Sequence, residues 1–330
     1  MMKILMQFRP PDEVADKYKG SFELECPPGD SGFSIGELIE RLPGADAYLG
    51  GVLTREMIDS AKRLKIACSC GAGYENLDYK YAGEKGIWVM NAPTATTEPT
   101  AELTIAIMLC LTRRLFNYNN MMKKRGDAGG VAGFTEQIDS APIPTPVHGK
   151  TIGIVGFGKI GRTVARMAKG LGMDILFYDT FMPPDDVMKM TGAAYAPFDE
   201  LLRKSDYVTL HCMYTPENHH LMGAKQFGMM KPTAYFINAA RGKLMDERAL
   251  VDALNGRRIL GAALDVYEFE PQVSPELLEM ENVVLVPHIG TATRENRLKM
   301  IYESFDGVIA CLNGGEAPTV VNRDYYSAKP

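Results

Sequence analysis

The sequence predicts an α/β protein made of two open sheets, in which the domain of one sheet is inserted into the domain of the other. Two stretches alternate short apolar runs with helical patterns, one within the first hundred residues and one between residues 151 and 287. A length of 330 residues is more than one hydrophobic core usually organises, so two domains are expected. A final helical pattern follows after the strands of the second stretch are complete, which indicates that it returns to the first domain.

The first domain is predicted from short apolar runs bounded by turn residues. Predicted strands are residues 4–8, 47–49, 66–69 and 88–91, and predicted helices are residues 35–41 and 55–63. Residues 1–6 run directly into Gln7 and Arg9, which is typical of a first strand and not of a signal peptide.

A long helix is predicted from Thr100 to about Lys124, directly after Pro99. Glu102 lies in its first turn and basic residues lie toward its end, as the helix dipole favours. Residues 126–146 are rich in Gly and Pro and lack periodicity. So long an irregular segment usually has a functional role or forms an oligomer arm.

Residues 151–161, Thr-Ile-Gly-Ile-Val-Gly-Phe-Gly-Lys-Ile-Gly, predict a strand that turns into a helix around a bound pyrophosphate. Gly156 permits the tight turn, Gly158 lets the backbone approach the phosphates, and Gly161 permits close packing of the helix on the strand. The amide groups at the helix start then bind the anion. A second apolar run, residues 175–178, brings Asp179 to its carboxyl end. This combination predicts a Rossmann-type dinucleotide-binding domain.

The rest of the second stretch continues the alternation of strands and helices. Further strands are predicted at residues 207–212, 234–238, 261–265 and 283–286, and the final helix at residues 294–313. The expected division is a flavodoxin-like substrate-binding domain, residues 1–99 and 294–330, into which the Rossmann-type domain, residues 100–293, is inserted.

The charge balance excludes several kinds of partner. The chain has 36 basic and 41 acidic residues and a net charge of −5, with no long run of either sign. Neither nucleic acid nor an anionic membrane surface is therefore expected as a partner. The sequence also lacks the run of about 18 apolar residues that indicates a membrane span.

The six cysteines are scattered among apolar neighbours, which is typical of reduced thiols in a cytoplasmic protein. Cys68 and Cys70 are the one close pair in the sequence. Because no His or further Cys lies at ligand spacing from them, no metal site is expected.

Three side chains that follow predicted strands of the second domain suit acid–base chemistry on a carbonyl group. Arg241, Glu270 and His288 should lie at the edge of a parallel sheet where ligands bind. Reduction of a 2-oxo acid needs a cation to hold the carboxylate and polarise the carbonyl, and a group of near-neutral pKa to give a proton. Arg241 suits the first task and His288 the second, with Glu270 to orient the ring and raise its pKa.

On these features the chain resembles the D-isomer-specific 2-hydroxyacid dehydrogenase family over nearly its whole length. The matching blocks are residues 70–78 (Cys-Gly-Ala-Gly-Tyr-Glu-Asn-Leu-Asp), 100–103 (Thr-Ala-Glu-Leu), 151–161 with Asp179, 211–218, 238–242, 265–271 and 287–290 (Pro-His-Ile-Gly). The resemblance implies reversible hydride transfer between NADH and a small 2-oxo acid, whether like glyoxylate or hydroxypyruvate or larger. A homodimer is expected.

The resemblance also implies a role for each matched residue. Arg241 is the implied substrate-binding cation, His288 the general acid and base, and Glu270 its partner. Ala72 and Gly73 are implied to offer backbone amides to the substrate carboxylate. The residues implied to bind the cofactor are Thr100, Gly156, Phe157, Gly158, Lys159, Ile160, Gly161, Asp179, Cys212, Met213, Thr215, Asn218, Ala239, Ala240 and Asp265.

Asp179 predicts NAD and not NADP as the cofactor. A carboxylate at this position accepts hydrogen bonds from the ribose hydroxyls and repels a 2′-phosphate. The next residues, 180–182, supply no cation to offset that repulsion.

Other functions stay open on the sequence. Formate dehydrogenases resemble the chain but carry Gln where Glu270 stands, and phosphonate dehydrogenases carry Lys where Ala72 stands. A NAD-sensing corepressor or binding module of the same fold would keep the dinucleotide motif without turnover. The residues after 313 are few and form no charged tail, which argues against such a module.

Two features bear on the choice of substrate. Gly50 and Gly51 follow the predicted strand 47–49 and predict room for a longer substrate side chain. Arg9 follows the first strand, and our hypothesis is that it selects among 2-oxo acids by meeting a second carboxylate or a phosphate. An ordinary surface arginine is the alternative.

Overall fold

The computed structural model describes residues 1–29, 31–126 and 144–327, which form two compact units. The first unit comprises Met1–Pro99 and Thr291–Pro330, and the second comprises Thr100–Gly290. The chain therefore divides after residues 99 and 290, whereas the division expected from the sequence falls after residues 99 and 293. The Gly-rich and Pro-rich segment 126–146 lies almost wholly outside the described residues.

The first unit contains a five-stranded parallel sheet. Its strands are β1 (Lys3–Met6), β2 (Glu23–Glu25), β3 (Ala47–Leu49), β4 (Ile66–Ser69) and β5 (Trp88–Asn91). Their order across the sheet is β2-β1-β3-β4-β5, which is the flavodoxin-like arrangement.

The second unit contains a seven-stranded parallel sheet. Its strands are β6 (Thr151–Val155), β7 (Asp174–Tyr178), β8 (Ala194–Tyr195), β9 (Tyr207–Leu210), β10 (Tyr235–Asn238), β11 (Gly261–Leu264) and β12 (Val283–Leu285). The order β12-β11-β10-β9-β6-β7-β8 is that of a Rossmann-type sheet with one added strand. The order reverses between β6 and β9, and in such sheets ligands bind at the carboxyl ends of the strands at this reversal.

Helices connect the strands of both units. Within the described residues they are α1 (Asp12–Tyr18), α2 (Ile35–Arg41), α3 (Arg55–Ser60), α4 (Tyr79–Glu84), α5 (Thr97–Thr112), α6 (Leu115–Arg125), α7 (Lys159–Gly170), α8 (Asp185–Thr191), α9 (Phe198–Lys204), α10 (Ala224–Met229), α11 (Glu247–Asn255), α12 (Pro275–Glu279) and α13 (Arg294–Leu312).

Each sheet has an apolar core on both faces, because successive strand residues point to opposite sides. In β1, Leu5 belongs to one core of the first unit, whereas Ile4 and Met6 belong to the other. Helix α13 adds Phe305 and Val308 to the core that contains Ile4 and Met6. The helix at the end of the chain therefore packs in the first unit, beside the strands from the beginning of the chain.

The single long helix predicted from Thr100 to Lys124 is wrong. The structure has two helices, α5 and α6, and the first already begins at Thr97, so that Pro99 lies within its first turn. Arg114 adopts a left-handed backbone with φ of 52° directly before α6, and this conformation ends helical hydrogen bonding. The sequence Leu-Thr-Arg-Arg-Leu around it contains no Gly or Pro that signals a break.

Several short elements were not predicted individually from the sequence, among them β2, β8, α1 and α4. Strand β2 lies at a sheet edge and alternates Glu with Leu, and β8 is two exposed residues long. Helices α1 and α4 have seven and six residues.

None of the helices in the described part of the chain is long and apolar enough to cross a membrane.

Candidate active site

The three glycines of the loop after β6 differ in what a side chain would meet at each position. Gly156 has φ of +92°, and a Cβ on it would lie 2.6 Å from the His211 carbonyl carbon. A Cβ on Gly161 would overlap the Gly156 carbonyl oxygen. A Cβ on Gly158 would meet no other group within 4 Å, so the protein itself gives no reason for glycine there. That open space beside the loop fits a group that approaches the backbone closely.

The N-terminus of α7 is arranged to bind an anion. No side chain within the described residues caps this helix. The amide groups of Gly158, Lys159 and Ile160 likewise donate no hydrogen bond in the part of the chain described. Free amides at a helix N-terminus, next to the open space at Gly158, suit the pyrophosphate of a dinucleotide.

Asp179 follows β7 and is held in one orientation by the backbone around it. Its Oδ2 accepts a hydrogen bond of 2.6 Å from the Phe157 amide, and its Oδ1 accepts one of 3.2 Å from the Phe181 amide. The carboxylate therefore lies beside the glycine-rich loop, where the ribose of a dinucleotide is expected.

The opposite side of the strand reversal is formed by residues after β9. The Thr215 amide donates to Asn218 Oδ1 at 2.8 Å, and Asn218 Nδ2 donates to the Met213 carbonyl at 2.7 Å. The Asn218 side chain thus fixes the turn that carries these residues. Burial raises the pKa of the Cys212 thiol to about 11 and lowers the pKa of His211 to about 3, so both groups are neutral near pH 7.

His288 and Glu270 form a hydrogen-bonded pair at the carboxyl edge of the second sheet. His288 Nδ1 lies 3.0 Å from Glu270 Oε2, and Glu270 Oε1 accepts a hydrogen bond of 2.9 Å from the Tyr267 amide. The imidazole Nε2 has no hydrogen-bond partner in the described part of the chain, and the His288 side chain is 53% exposed. The ring is therefore oriented at one nitrogen and accessible at the other.

The pairing favours the charged form of both groups, so the pKa of His288 is raised and the pKa of Glu270 is lowered. The hydrogen bond with Glu270 raises the pKa of His288 above its ordinary value, and this outweighs the opposing effect of burial. Burial raises the pKa of Glu270, but the hydrogen bonds from His288 and the Tyr267 amide outweigh it, so the net pKa is lowered. The positive charge of Arg241 also lowers the pKa of each group.

Asp265 fixes the loop that carries His288. Its side chain is buried, and its oxygens accept hydrogen bonds from the Ile289 amide at 2.6 Å and the Gly290 amide at 2.9 Å. His288 itself has a left-handed backbone with φ of 52°. A Cβ on Gly290 would lie 3.1 Å from Asp265 Oδ2 and 3.4 Å from Thr100 Oγ1, so Thr100 adjoins the same loop.

Arg241 follows β10 in a turn that is organised by Asn238. Asn238 accepts a hydrogen bond from the Ala240 amide at 3.1 Å and donates one to the Arg241 carbonyl at 3.0 Å. The guanidinium Nη1 donates to the Ala240 carbonyl at 2.7 Å. Ala239 is buried and Ala240 half-buried in the same turn.

In the first unit, the loop of Ala72 and Gly73 is held by its carbonyl groups. Asn91 Nδ2 donates to the Ala72 carbonyl at 2.8 Å, and Ser69 Oγ donates to the Gly73 carbonyl at 2.5 Å. The amides of Ala72 and Gly73 make no hydrogen bond within the residues described. Two adjacent free amides on a fixed loop suit the binding of a carboxylate. Sequence reasoning missed both side chains. Asn91 lies 19 positions from its partner Ala72, and Ser69 lies four positions from Gly73 at the end of a strand, where a serine gives no signal of its own.

Gly50 does not provide the room that was expected from the sequence. A Cβ there would overlap the Tyr48 hydroxyl and lie 2.8 Å from Gln7 Oε1. The Tyr48 hydroxyl is itself held by the Val52 carbonyl at 2.9 Å, so the space beside Gly50 is already filled.

The Arg9 side chain forms surface contacts. Nη2 lies 3.1 Å from Asp12 Oδ1, and Nη1 donates to the Pro28 carbonyl at 3.1 Å. Its side chain is 47% exposed. These contacts are those of an ordinary surface arginine, which was the alternative to a role in substrate selection.

The family model described as D-isomer specific 2-hydroxyacid dehydrogenase, NAD binding domain, matches residues 105–290. This range covers most of the second unit, including the glycine-rich loop and the residues of the carboxyl edge. The second unit is therefore a domain that binds a nicotinamide dinucleotide.

Known proteins match nearly the whole chain. A Staphylococcus haemolyticus protein, named provisionally as a 2-hydroxyacid dehydrogenase, is 39% identical over 98% of this chain and 100% of its own. A glyoxylate reductase structure from Paecilomyes thermophila has a TM-score of 0.85 and 30% identity, covering 98% of this chain and 99% of that one. A structure of an NADPH-dependent glyoxylate/hydroxypyruvate reductase from Sinorhizobium meliloti has a TM-score of 0.84 and 25% identity, covering 100% of each chain. The chain belongs to the D-isomer specific 2-hydroxyacid dehydrogenase family.

Proposed function

We propose that the protein is a NAD-dependent D-2-hydroxyacid dehydrogenase that catalyses reversible hydride transfer between NADH and a small 2-oxo acid. The observation that carries the proposal is the His288–Glu270 pair, which orients the imidazole through Nδ1 and leaves Nε2 accessible. An oriented imidazole with a raised pKa is the proton donor that carbonyl reduction requires.

Each residue of the site has a distinct task in this reaction. Arg241 binds the substrate carboxylate and polarises the carbonyl, since a guanidinium offers two parallel donors. His288 donates its Nε2 proton to the carbonyl oxygen, and Glu270 stabilises the charged ring. In the first unit, the free amides of Ala72 and Gly73 are the proposed donors to the carboxylate. When bound, the nicotinamide ring supplies the hydride in reduction and accepts it in oxidation.

We further propose that NAD is preferred over NADP. The family alone does not decide this, because the Sinorhizobium meliloti reductase is named NADPH-dependent. Asp179 supports NAD, because its fixed carboxylate would face a 2′-phosphate of the same charge.

We expect wild-type kcat/KM to be higher with NADH than with NADPH. Asp179→Ser should lower the ratio of the two kcat/KM values by about tenfold or more, because a like-charge contact costs a few kcal/mol. Asp174→Ser is the matched control, since Asp174 is an exposed carboxylate at the other end of the same strand. A wild-type preference for NADPH would contradict the proposal.

Glu270→Gln should change the pH dependence of turnover. Reduction requires a protonated His288, and Glu270 raises its pKa, so wild-type reduction is retained until the pH rises through that raised value. Without the carboxylate charge, the pKa of His288 falls and reduction should be lost at lower pH. Oxidation requires the neutral ring, so its rise with pH should also begin lower. The measurement is kcat/KM against pH in both directions, and superimposable profiles would exclude this role of Glu270.

The direct test of the function is a screen of 2-oxo acids with NADH, with the chirality of each product assigned. We expect turnover of at least one 2-oxo acid and a product of D configuration. NADH binding without turnover of any 2-oxo acid would favour a cofactor-gated binding module instead.

We also propose that the protein is a homodimer. Its support in the described residues is α6, which has no buried residue and leaves Leu115 and Phe116 about half exposed. Light scattering should give twice the mass of one chain, which is 36.4 kDa, and a monomer at assay concentrations would exclude the dimer.

A cytoplasmic location is likewise proposed, with the support that all six cysteines are free.

A further inference from the structure

Three side chains outside the His288–Glu270 pair connect the loops that carry Arg241 and Glu270. They are His220, Glu247 and Glu268, and we call this group the Glu247 clamp. We propose that the Glu247 clamp positions Glu270, and through the neighbouring loop Arg241, for catalysis. This inference rests on the proposed function.

Glu247 fixes both ends of the segment that contains Glu270. Its side chain is fully buried. Oε2 accepts a hydrogen bond from the Glu268 amide at 3.0 Å, and Oε1 accepts one from the Ser274 amide at 2.8 Å. In return, the Glu247 amide donates to Glu268 Oε2 at 2.9 Å. Residues 268–274 are therefore held at their first and last members, with Glu270 between them.

Glu268 extends the clamp to the loop after β10. Its Oε1 lies 2.6 Å from His220 Nε2. The His220 amide donates to the Lys243 carbonyl at 3.1 Å, two residues after Arg241. A Cβ on Gly242 would lie 2.6 Å from the Glu268 amide nitrogen, so the backbone next to Arg241 packs directly on the loop of Glu270.

The chemistry of the clamp favours positioning over simple stabilisation. A buried carboxylate is costly unless hydrogen bonds compensate it, and an apolar side chain of similar size would fill the same space without that cost. What an apolar side chain cannot do is fix the amide groups of Glu268 and Ser274 at the same time. The placement of Glu247 at the first position of α11 also lowers the cost, since a helix N-terminus favours negative charge.

The group is better explained by hydrogen bonds than by a metal ion. The rings of His219 and His220 stack at 3.8 Å, and donor atoms of His219, His220 and Glu268 lie within 4.8 Å of one another. However, His220 Nε2 and Glu268 Oε1 are 2.6 Å apart, which is a hydrogen-bond distance. Two ligands of a tetrahedral zinc lie about 3.3 Å apart, given zinc–nitrogen bonds of about 2.0 Å.

The first test is Glu247→Gln, which keeps the shape but turns one acceptor into a donor facing a backbone amide. We expect kcat to fall about tenfold or more, because small displacements of catalytic groups are costly. KM for NADH should stay within about twofold, since no clamp residue belongs to the proposed cofactor contacts. The pKa of His288, measured by NMR titration and assigned by comparison with His288→Ala, should fall toward its ordinary value as Glu270 loses its position.

His220→Asn tests the clamp with less risk to folding. His220 has a left-handed backbone with φ of 55°, which Asn tolerates better than most residues. We expect the same changes in kcat and in the pKa of His288, but smaller ones. The matched control is Glu276→Gln, which removes an exposed carboxylate paired with Arg248 on α11 and should change neither quantity.

The outcomes separate the clamp from the proposed function. If wild-type protein reduces no 2-oxo acid, the proposed function fails, whereas the NMR titration still tests whether the clamp sets the Glu270–His288 contact. Unchanged kcat and an unchanged pKa of His288 in folded Glu247→Gln and His220→Asn would overturn the clamp. If thermal melting shows that Glu247→Gln does not fold, the result for His220→Asn alone decides whether the clamp positions Glu270.

Discussion

Replacing His288 with alanine is expected to remove most turnover while NADH affinity stays close to that of the wild type. General acid catalysis by a positioned side chain contributes on the order of 10²- to 10⁴-fold, and we expect a loss within that range. His288 is the group whose geometry fits proton donation, because Glu270 holds Nδ1 at 3.0 Å and Nε2 is accessible. The proposed dinucleotide contacts do not include this ring, so binding of NADH should not depend on it.

The measurement for His288→Ala combines steady-state kcat with a fluorescence titration of NADH. His148→Ala is a suitable control, because His148 is an exposed histidine of the same unit outside the proposed site. An equal loss of turnover and of NADH affinity would show that the substitution disturbs the unit as a whole and would argue against a specific role in proton transfer.

Replacing Arg241 with lysine should lower kcat/KM for the 2-oxo acid by about 10²- to 10³-fold, the effect of removing one preorganised donor from a developing oxyanion. Lysine keeps the charge but offers a single point donor, whereas the guanidinium engages carboxylate and carbonyl oxygens through a planar fork. KM for the 2-oxo acid should rise and kcat should fall, because Arg241 is proposed to act in both the ground state and the transition state.

Arg248→Lys is the control for this substitution. Arg248 is an exposed arginine on α11 that pairs with Asp252 and Glu276, so its replacement should leave kcat/KM unchanged. If Arg241→Lys retained wild-type kcat/KM, Arg241 could not be the group that holds and polarises the substrate.

Features encoded by neighbouring residues could be predicted from the sequence. The strands at residues 47–49, 66–69 and 88–91 have the predicted bounds, since short apolar runs between turn residues specify them locally. The glycine-rich loop was predicted for the same reason, because its turn, helix start and acidic residue follow one another along the chain. The two-sheet α/β fold is confirmed by the strand orders and by the solved structures.

Features that depend on distant residues could not be predicted. The break at Arg114 coincides with contacts of Arg114 and Asn117 to Glu281, which no local pattern reveals. The space at Gly50 is filled by Tyr48, from the strand just before it, and by Gln7, which follows β1 and is distant in the chain. The Glu247 clamp joins residues 21 and 48 positions apart in the chain, and single glutamates in a sequence look like surface charges.

In the proposed reaction, the protein transfers a hydride from NADH to the carbonyl carbon of a 2-oxo acid. The most direct measurement uses NADH deuterated at the transferable position of the nicotinamide ring, with a 2-oxo acid from the screen and mass spectrometry of the product. We expect one deuterium at the carbon that carried the carbonyl, in a hydroxy acid of D configuration. Bound NADH with no deuterated product from any 2-oxo acid, or a product of L configuration, would contradict this proposed reaction.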